Sequence, residues 1–281
     1  MNTIRNKILL NPSVIRIEVE APRIARKALP GQFVILRVHE DGERIPLTIA
    51  KADRDAGTIT LVFQEVGKTT RDLGALAEGD AILDLAGPLG QASHLEGIQD
   101  ACVIGGGLGT AIAWPQAGAL AEAGARVRVI CGFRNRDLIL LEEEMARITS
   151  DLAIVTDDGS NGTKGFVTHI LQKDLEAGRR YDAVIAVGPL VMMKAVSELT
   201  RPYGIRTIVS MNPVMIDGTG MCGGCRLTVG GKTVFACVDG PEFDGHQVDF
   251  DEAIRRSAMY RNEERLSESR RNCRLEGMNN A

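Results

Sequence analysis

The stretch Ala101–Ala123, ACVIGGGLGTAIAWPQAGALAEA, decides how the middle of this 281-residue chain is built. Ala101–Ile104 is a short apolar run of the kind that forms a strand buried on both faces. Gly105, Gly106, Gly107 and Gly109 follow at once. Thr110–Ala123 is Ala-rich and closes at Gly124, which predicts a helix stopped by a glycine. Glycines between a buried strand and a helix let a phosphate or a nicotinamide come close to the backbone. They serve tight strand–helix packing equally well. The spacing is not G-x-G-x-x-G, because Ala111 and Ile112 fill the later positions.

The alternation continues downstream. Strands are predicted over Val127–Cys131, Leu152–Val155, Ala183–Val187 and Thr207–Ser210. Helices are predicted over Leu138–Ile148, with Glu142, Glu143 and Glu144 near its start, over Gly165–Lys173, and over Leu190–Leu199 after Pro189. Such alternation predicts a doubly wound parallel α/β sheet over residues 98–210. Two more loops share the carboxyl edge with Gly105–Gly109: Asp157-Asp158-Gly159-Ser160, and Gly188-Pro189. Convergence of three such loops favours a pocket. Gly132–Arg136 places Arg134 and Arg136 where an adenosine ribose would lie, and where they could read a 2′-phosphate; a solvated loop is the plainer account.

Upstream, residues 1–97 read as β. Ile15, Ile17 and Val19 alternate with Arg16, Glu18 and Glu20; Phe33–Leu36 follows a Pro30-Gly31 turn; Thr58–Phe63 and Ala81–Leu85 add strands. Short strands between turn signals predict a small barrel. Arg44-Ile45-Pro46-Leu47-Thr48 falls on one of its strands and offers a guanidinium and a hydroxyl to a phosphate. Gly67-Lys68-Thr69-Thr70 offers successive backbone N–H groups at a helix start, for a pyrophosphate or simply for an N-cap.

Residues 211–248 hold DGTGMCGGCRLTVGGKTVFAC, Asp217–Cys237. Cys222 and Cys225 form a C-x2-C pair, and Cys237 follows. Plant-type ferredoxins use C-x4-C-x2-C and a distant fourth Cys; here Asp217 stands at the first position. Gly230-Gly231 between alternating apolar residues predicts a hairpin that returns Cys237 towards Cys225. Iron–sulfur ligation accounts for this set better than a zinc knuckle, since His246 is the one nearby His and a single C-x2-C pair is present. Cys102 and Cys131 read as small buried hydrophobes, Met192 and Met193 as core, Met221 as cover or filler. Residues 249–281 form a charged tail containing Cys273. Ile254, Ala258 and Arg261 share a helical face there, for a partner-contacting helix or a solvated one.

The net charge of −4 carries no nucleic-acid footprint, and no apolar run reaches the ~18 residues of a membrane span. The first residues show no apolar signal region, so a cytoplasmic protein is expected, where clustered cysteines bind metal rather than form disulfides.

Barrel, nucleotide-binding α/β domain and cysteine segment, in that order, resemble the ferredoxin–NADP reductase superfamily. The matching residues are Pro30–Phe33, Arg44–Thr48, Gly87–Gly90, Gly105–Gly109, Asp157–Gly165, Gly188-Pro189, Asp217–Cys225 and Cys237–Phe243. The last resembles the electron-transfer subunit of dihydroorotate dehydrogenase, which has Cys at the place of Asp217. Asp217–Cys225 looks like the small subunit of NADH-dependent ferredoxin:NADP oxidoreductase. The resemblance implies FAD on the barrel, at Arg44, Pro46, Leu47, Thr48, Gly67, Lys68, Thr69 and Thr70. It implies NAD(H) at Gly105, Gly106, Gly107, Gly109, Thr110, Arg134, Asp157, Asp158, Gly159, Gly188 and Pro189. It implies a [2Fe-2S] cluster on Asp217, Cys222, Cys225 and Cys237. It also implies a larger partner subunit with its own FAD and [4Fe-4S] clusters, coupling NADH, NADPH and ferredoxin by electron bifurcation. The superfamily's flavin motif reads R-x-Y-S/T; here Leu47 replaces the aromatic and Arg44 lies one residue further off. A dihydroorotate dehydrogenase subunit and a zinc-binding regulatory module are the alternatives.

Overall fold

A computed structural model describes residues 2–266; Cys273 and the rest of the expected tail beyond that lie outside the described residues. Seven antiparallel strands come first: β1 (Asn2–Asn11), β2 (Val14–Glu20), β3 (Phe33–Arg37), β4 (Ile45–Asp53), β5 (Thr58–Gln64), β6 (Ala81–Ile82) and β7 (Asp84–Leu89). Their spatial order is β6-β1-β2-β5-β4-β3-β7. Leu83 alone separates β6 from β7, the two ends of that order, so the sheet curls back on itself into a nearly closed barrel. The expected strand 81–85 is broken there because the chain changes edges at Leu83. Ile15, Ile17 and Val19 point into the barrel core with Val34, Leu36, Leu61 and Phe63. The short helix α1 (Pro22–Ala25) and α2 (Lys68–Ala75) sit between strands, and Leu73 of α2 seals the core.

The second sheet holds β8 (Asp100–Gly106), β9 (Arg126–Phe133), β10 (Leu152–Thr156), β11 (Ala183–Val187) and β12 (Arg206–Ser210), all parallel. The order β10-β9-β8-β11-β12 puts the change of winding direction between β8 and β11. In open α/β sheets that crevice is where ligands bind. The connecting helices are α3 (Gly109–Glu122), α4 (Glu142–Ile148), α5 (Val167–Glu176) and α6 (Leu190–Thr200). The helix expected over Leu138–Ile148 is shorter than predicted. Leu140 and Leu141 both enter the core, Leu141 takes φ +56, and only then does α4 begin. A left-handed residue cannot sit inside a helix, so the helix starts after it.

The cysteine segment forms the hairpin β13 (Arg226–Val229) and β14 (Lys232–Phe235), joined by Gly230 at φ +57 and Gly231 at φ +74. Two consecutive residues at positive φ make the type I′ turn that tight hairpins favour. After α7 (Ala236–Asp239), β15 (Glu242–Asp244) pairs antiparallel with β12 and becomes the sixth strand of the second sheet. Glu242 accepts hydrogen bonds from Ser93 Oγ (2.7 Å) and from Gln116 Nε2 of α3 (2.8 Å), tying the three parts together. Helix α8 (Phe250–Ser257) is capped by Asp249, whose carboxylate accepts the Glu252 N–H at 2.8 Å. It buries Phe250 and Ala253 against the cysteine segment, whereas Arg261 of the expected Ile254–Ala258–Arg261 face is exposed. Among the described residues no helix is long and apolar enough to cross a membrane.

Candidate functional site: a cavity between barrel, sheet edge and cysteine segment

A cavity of about 1150 Å³ lies where the three parts meet. From the barrel, Phe33, Pro46, Leu47, Thr48 and Gln64 line it; from the sheet edge, Gly106, Gly107, Gly109, Arg134, Asp157, Gly188 and Pro189 do. Met211–Ile216, Cys222 and Gly224 close the third side, and Arg256 and Tyr260 reach in from the chain end. Of the expected binding residues, Arg44, Gly67–Thr70, Gly105, Thr110, Asp158 and Gly159 do not line it, nor do Asp217, Cys225 and Cys237.

Most of the glycine loop is explained by packing. A Cβ on Gly105 would stand 2.6 Å from Thr110 Cα, and one on Gly109 would stand 2.1 Å from the Val187 carbonyl oxygen. A Cβ on Gly106 would stand 2.5 Å from the Met192 sulfur, and one on Gly188 would stand 3.1 Å from Gly106 Cα. Gly107 differs: it has φ +56, and a Cβ there would meet nothing within 4 Å. Gly107 therefore faces open space at the β8–β11 crevice, held by its N–H donating to Gly132 O at 2.8 Å.

Two flanking loops are tied together. The Arg136 N–H donates to Ser160 Oγ (2.7 Å), and the Ser160 hydroxyl and N–H donate to Asp158 (2.7 and 2.9 Å). These donors from Ser160 hold the Asp158 carboxyl below the usual carboxylate range. Asp158 and Gly159 thus shape the loop, while Arg134 and Asp157, both exposed, present themselves to the cavity. Phe166, at the start of α5, also lines the cavity and is 56% exposed.

At the barrel end, Arg44 is exposed, four residues before Thr48 on the same run of chain, or roughly 13 Å away along an extended strand. The loop preceding it meets α2: Asp72 of α2 lies 3.3 Å from Lys68 and 3.4 Å from His39. At the α2 start, Thr70 Oγ1 accepts the Gly67 N–H at 3.1 Å, and Gly67 has no side chain to cap the helix. Thr69 is buried and its hydroxyl has no hydrogen-bond partner among the described residues. An orphaned buried hydroxyl and an uncapped first turn fit a phosphate group.

In the cysteine segment the donors lie in two pairs. Cys225 and Cys237 are buried, their sulfurs 3.2 Å apart. A disulfide would need ~2.0 Å, so both are thiols. Burial, with the Cys225 thiol beside it, pushes the Cys237 thiol up. Asp217 and exposed Cys222 form the second pair: Asp217 accepts the Cys222 N–H at 2.7 Å on one oxygen and the Thr219 N–H at 2.7 Å on the other. These donors, Thr219 first, hold its carboxyl below the usual range. Gly218, at φ +75, sits against Ile35 and Leu89 of the barrel. Among the described residues no three His, Cys, Asp or Glu side chains converge on a single-ion site.

Residues 212–249 match the family of the iron–sulfur cluster binding domain of dihydroorotate dehydrogenase B. Over 270 residues the chain is 46% identical to a dihydroorotate dehydrogenase B (NAD(+)) electron transfer subunit homolog of Thermotoga maritima, covering 96% of this chain and 95% of that one. The chain belongs to this family. It is also 48% identical, over 272 residues, to an uncharacterized protein from the adh 3′ region of Clostridium beijerinckii, covering 94% and 92% of the two chains. A chain of the NADH-dependent reduced ferredoxin-NADP oxidoreductase structure, reported for flavin-based electron bifurcation, superposes with a TM-score of 0.91 at 44% identity, covering 96% of this chain and 97% of that one. The expected ferredoxin–NADP reductase fold is therefore present, and the family is one of oxidoreductase subunits. The match to an iron–sulfur domain weighs against the zinc module.

Sequence reasoning missed several lining residues. Met192, expected as core, packs on Gly106 and Gly188 at the crevice. Phe166 had a signal, an aromatic just before a helix start. Arg256 had none, since its role depends on where α8 lands.

Proposed function

We propose that the chain is the NADH-oxidising electron-transfer subunit of a larger complex, with FAD in the cavity, NAD(H) at the sheet edge and a [2Fe-2S] cluster in the cysteine segment. The observation that carries this reading is the single cavity shared by all three parts. Bound there, a flavin would take two electrons as a hydride and release them singly to a one-electron cluster.

On this reading Pro46, Leu47 and Thr48 hold the flavin ring end, with Leu47 packing where the superfamily stacks an aromatic. Arg44, Gly67, Lys68, Thr69 and Thr70 hold the pyrophosphate, the unpartnered Thr69 hydroxyl and the free first-turn N–H groups supplying donors. Gly105, Gly106, Gly107, Gly109 and Thr110 form the floor of the nicotinamide crevice, and Gly188 and Pro189 its far wall. Arg134 and Asp157 hold the adenosine end, braced by Asp158 and Gly159.

Asp217 with Cys222, and Cys225 with Cys237, supply two donors to each of two irons. Paired donors suit a diiron cluster, in which each iron takes two protein ligands. They do not suit zinc, which needs four on one ion. Cys222, Val214 and Ile216 line the cavity, whereas Met221, beside Cys222, does not line it and is 86% exposed. The surface at Met221 is the exit towards the partner. The likeness to a chain of a ferredoxin-NADP oxidoreductase supports a partner subunit; we take that partner to be the larger subunit with FAD and [4Fe-4S] clusters that the sequence resemblance implies, with ferredoxin acting through the complex.

Anaerobic purification of the native complex tests the proposal. Flavin, iron and sulfide in the chain, and faster flavin bleaching by NADH than by NADPH, are expected. The relatives named for dihydroorotate dehydrogenase B support a second reading, and a co-purified dihydroorotate-oxidising partner would establish it instead.

A further inference from the structure

Both carbonyls of the Cys222–Cys225 spacer face arginines. Arg226 Nη1 donates to Gly223 O at 3.3 Å, and Arg256 Nη2 of α8 donates to Gly224 O at 3.2 Å. The peptide between Gly223 and Gly224 is planar and trans, so its N–H points away from its carbonyl. That N–H lies 3.5 Å from Cys222 Sγ. The next peptide, with its carbonyl on Arg256, turns the Cys225 N–H the opposite way, off the arginine side. Across the pair, the Cys237 N–H lies 3.5 Å from Cys225 Sγ.

Arg256 is not a loose surface charge. It is half-buried and lines the cavity beside Cys222 and Gly224. The helix that carries it is fixed by buried Phe250 and Ala253, by the Asp249 cap, and by Lys194 of α6 on Asp251 at 2.8 Å. Its neighbour Arg255 is exposed and has no contact with the spacer.

We propose that Arg226 and Arg256 are positioning residues for the cluster: they grip the two spacer carbonyls, so that the Gly224 N–H is held on the Cys222 sulfur and two positive charges stand behind the spacer. Hydrogen bonds to cluster sulfurs and nearby positive charge both favour the reduced form, which carries one more electron. The clamp therefore raises the cluster's potential, and α8 is the element that sets half of it. This rests on the cluster reading given above.

The experiment is a redox titration of the cluster in the full-length holoprotein, followed by electron paramagnetic resonance of the reduced form. Iron and sulfide content and the signal of the parent protein test the cluster reading by themselves. Only the difference between parent and variants tests the clamp. Arg256→Gln is expected to keep iron and sulfide content but to lower the reduced-to-oxidised ratio at a fixed potential by about tenfold, or ~59 mV for one electron. Arg255→Gln removes the same charge without the contact and is expected to titrate like the parent. If Arg256→Gln fails to load, Arg226→Gln and Arg256→Lys carry the same measurement, with a fall in the first and a smaller fall in the second. A parent-like midpoint in Arg256→Gln or Arg226→Gln with the cluster intact would overturn the proposal. So would an equal fall in Arg255→Gln, which would reduce the effect to net charge.

Discussion

Substituting alanine for Gly109 tests the account of the glycine loop at its tightest point. The added carbon would stand 2.1 Å from the Val187 carbonyl oxygen, 2.6 Å from its carbon and 2.8 Å from Gly188 Cα. Carbon atoms settle at ~3.5–4.0 Å, so the shortfall is roughly 1 Å against the Val187–Gly188 backbone. No rotamer change relieves it: either the end of β11 or the start of α3 must withdraw. Ala111, Ala113 and Ala117 of α3 are almost fully buried, so withdrawal strips contacts along the whole helix. Overpacking of this kind costs ~1–3 kcal/mol, and a backbone clash belongs at the upper end. At ~2–4 °C per kcal/mol, Tm should fall by about 6–12 °C. Gly107→Ala meets no atom and carries only the left-handed backbone cost of roughly 1–2 kcal/mol, so its fall should be smaller. Thermal unfolding of both variants by circular dichroism, beside the parent, is the assay. A Gly109→Ala protein melting as high as Gly107→Ala would refute the packing account, leaving close approach of a ligand as the reason for the glycine.

Other outcomes follow from the same geometry. Gly218→Ala adds a carbon 2.8 Å from Leu89 Cδ1 at positive φ, and should loosen the cysteine segment from the barrel, seen as faster proteolysis within 212–225 while the barrel melts normally. Ser160→Ala removes the tie between the Arg136 and Asp158 loops and should raise the KM for NADH roughly 2- to 10-fold with kcat kept, the worth of one hydrogen bond. The Asp158 carboxyl lies below its ordinary range, so the tie is complete above that range and is lost only as pH falls through the lowered folded-state value; nucleotide affinity should hold down to the ordinary carboxylate range and drop below it in the parent and not in Ser160→Ala. Burial pushes the Cys131 thiol up to about 12 and raises Cys102 further. In the cluster-free chain, brief alkylation at neutral pH followed by mass spectrometry should therefore label Cys222 and spare both, and early labelling of Cys131 would contradict the fold. Asp217→Cys should keep a cluster of altered potential. Asp217→Asn, which retains an acceptor for the loop N–H groups, separates loop-holding from ligation: an unchanged spectrum and potential would remove Asp217 from the ligand set.

The parallel sheet was legible above all in its central strands β8 and β11, which are buried on both faces and read as apolar runs; Ala183–Val187 is buried at every position. β1 was not legible: in NTIRNKILLN only Ile4 and Asn11 are buried, so no alternation marks it. Leu141 gave no warning either, since a leucine at positive φ is held by core packing rather than by local preference. The cysteine spacing and the Gly230-Gly231 turn announced the hairpin because both are short-range signals. What spacing could not supply was pairing in space. Arg256 meets Gly224 across 32 residues, and Met192 reaches Gly106 across the crevice; both depend on tertiary packing that no local pattern encodes.

The pairing of β15 with β12 has a mechanical consequence. Ile208, Val209 and Ser210 face Asp244, Phe243 and Glu242 in register, so the cysteine segment is stitched into the same hydrogen-bonded slab as the nucleotide crevice. A redox centre on a flexible tether can swing between donor and acceptor, trading distance for traffic. One stitched into a slab cannot. Its distance to anything else on this chain is a constant of the fold, and any gate that opens or closes the outward path has to be a rocking of the entire subunit against its neighbour.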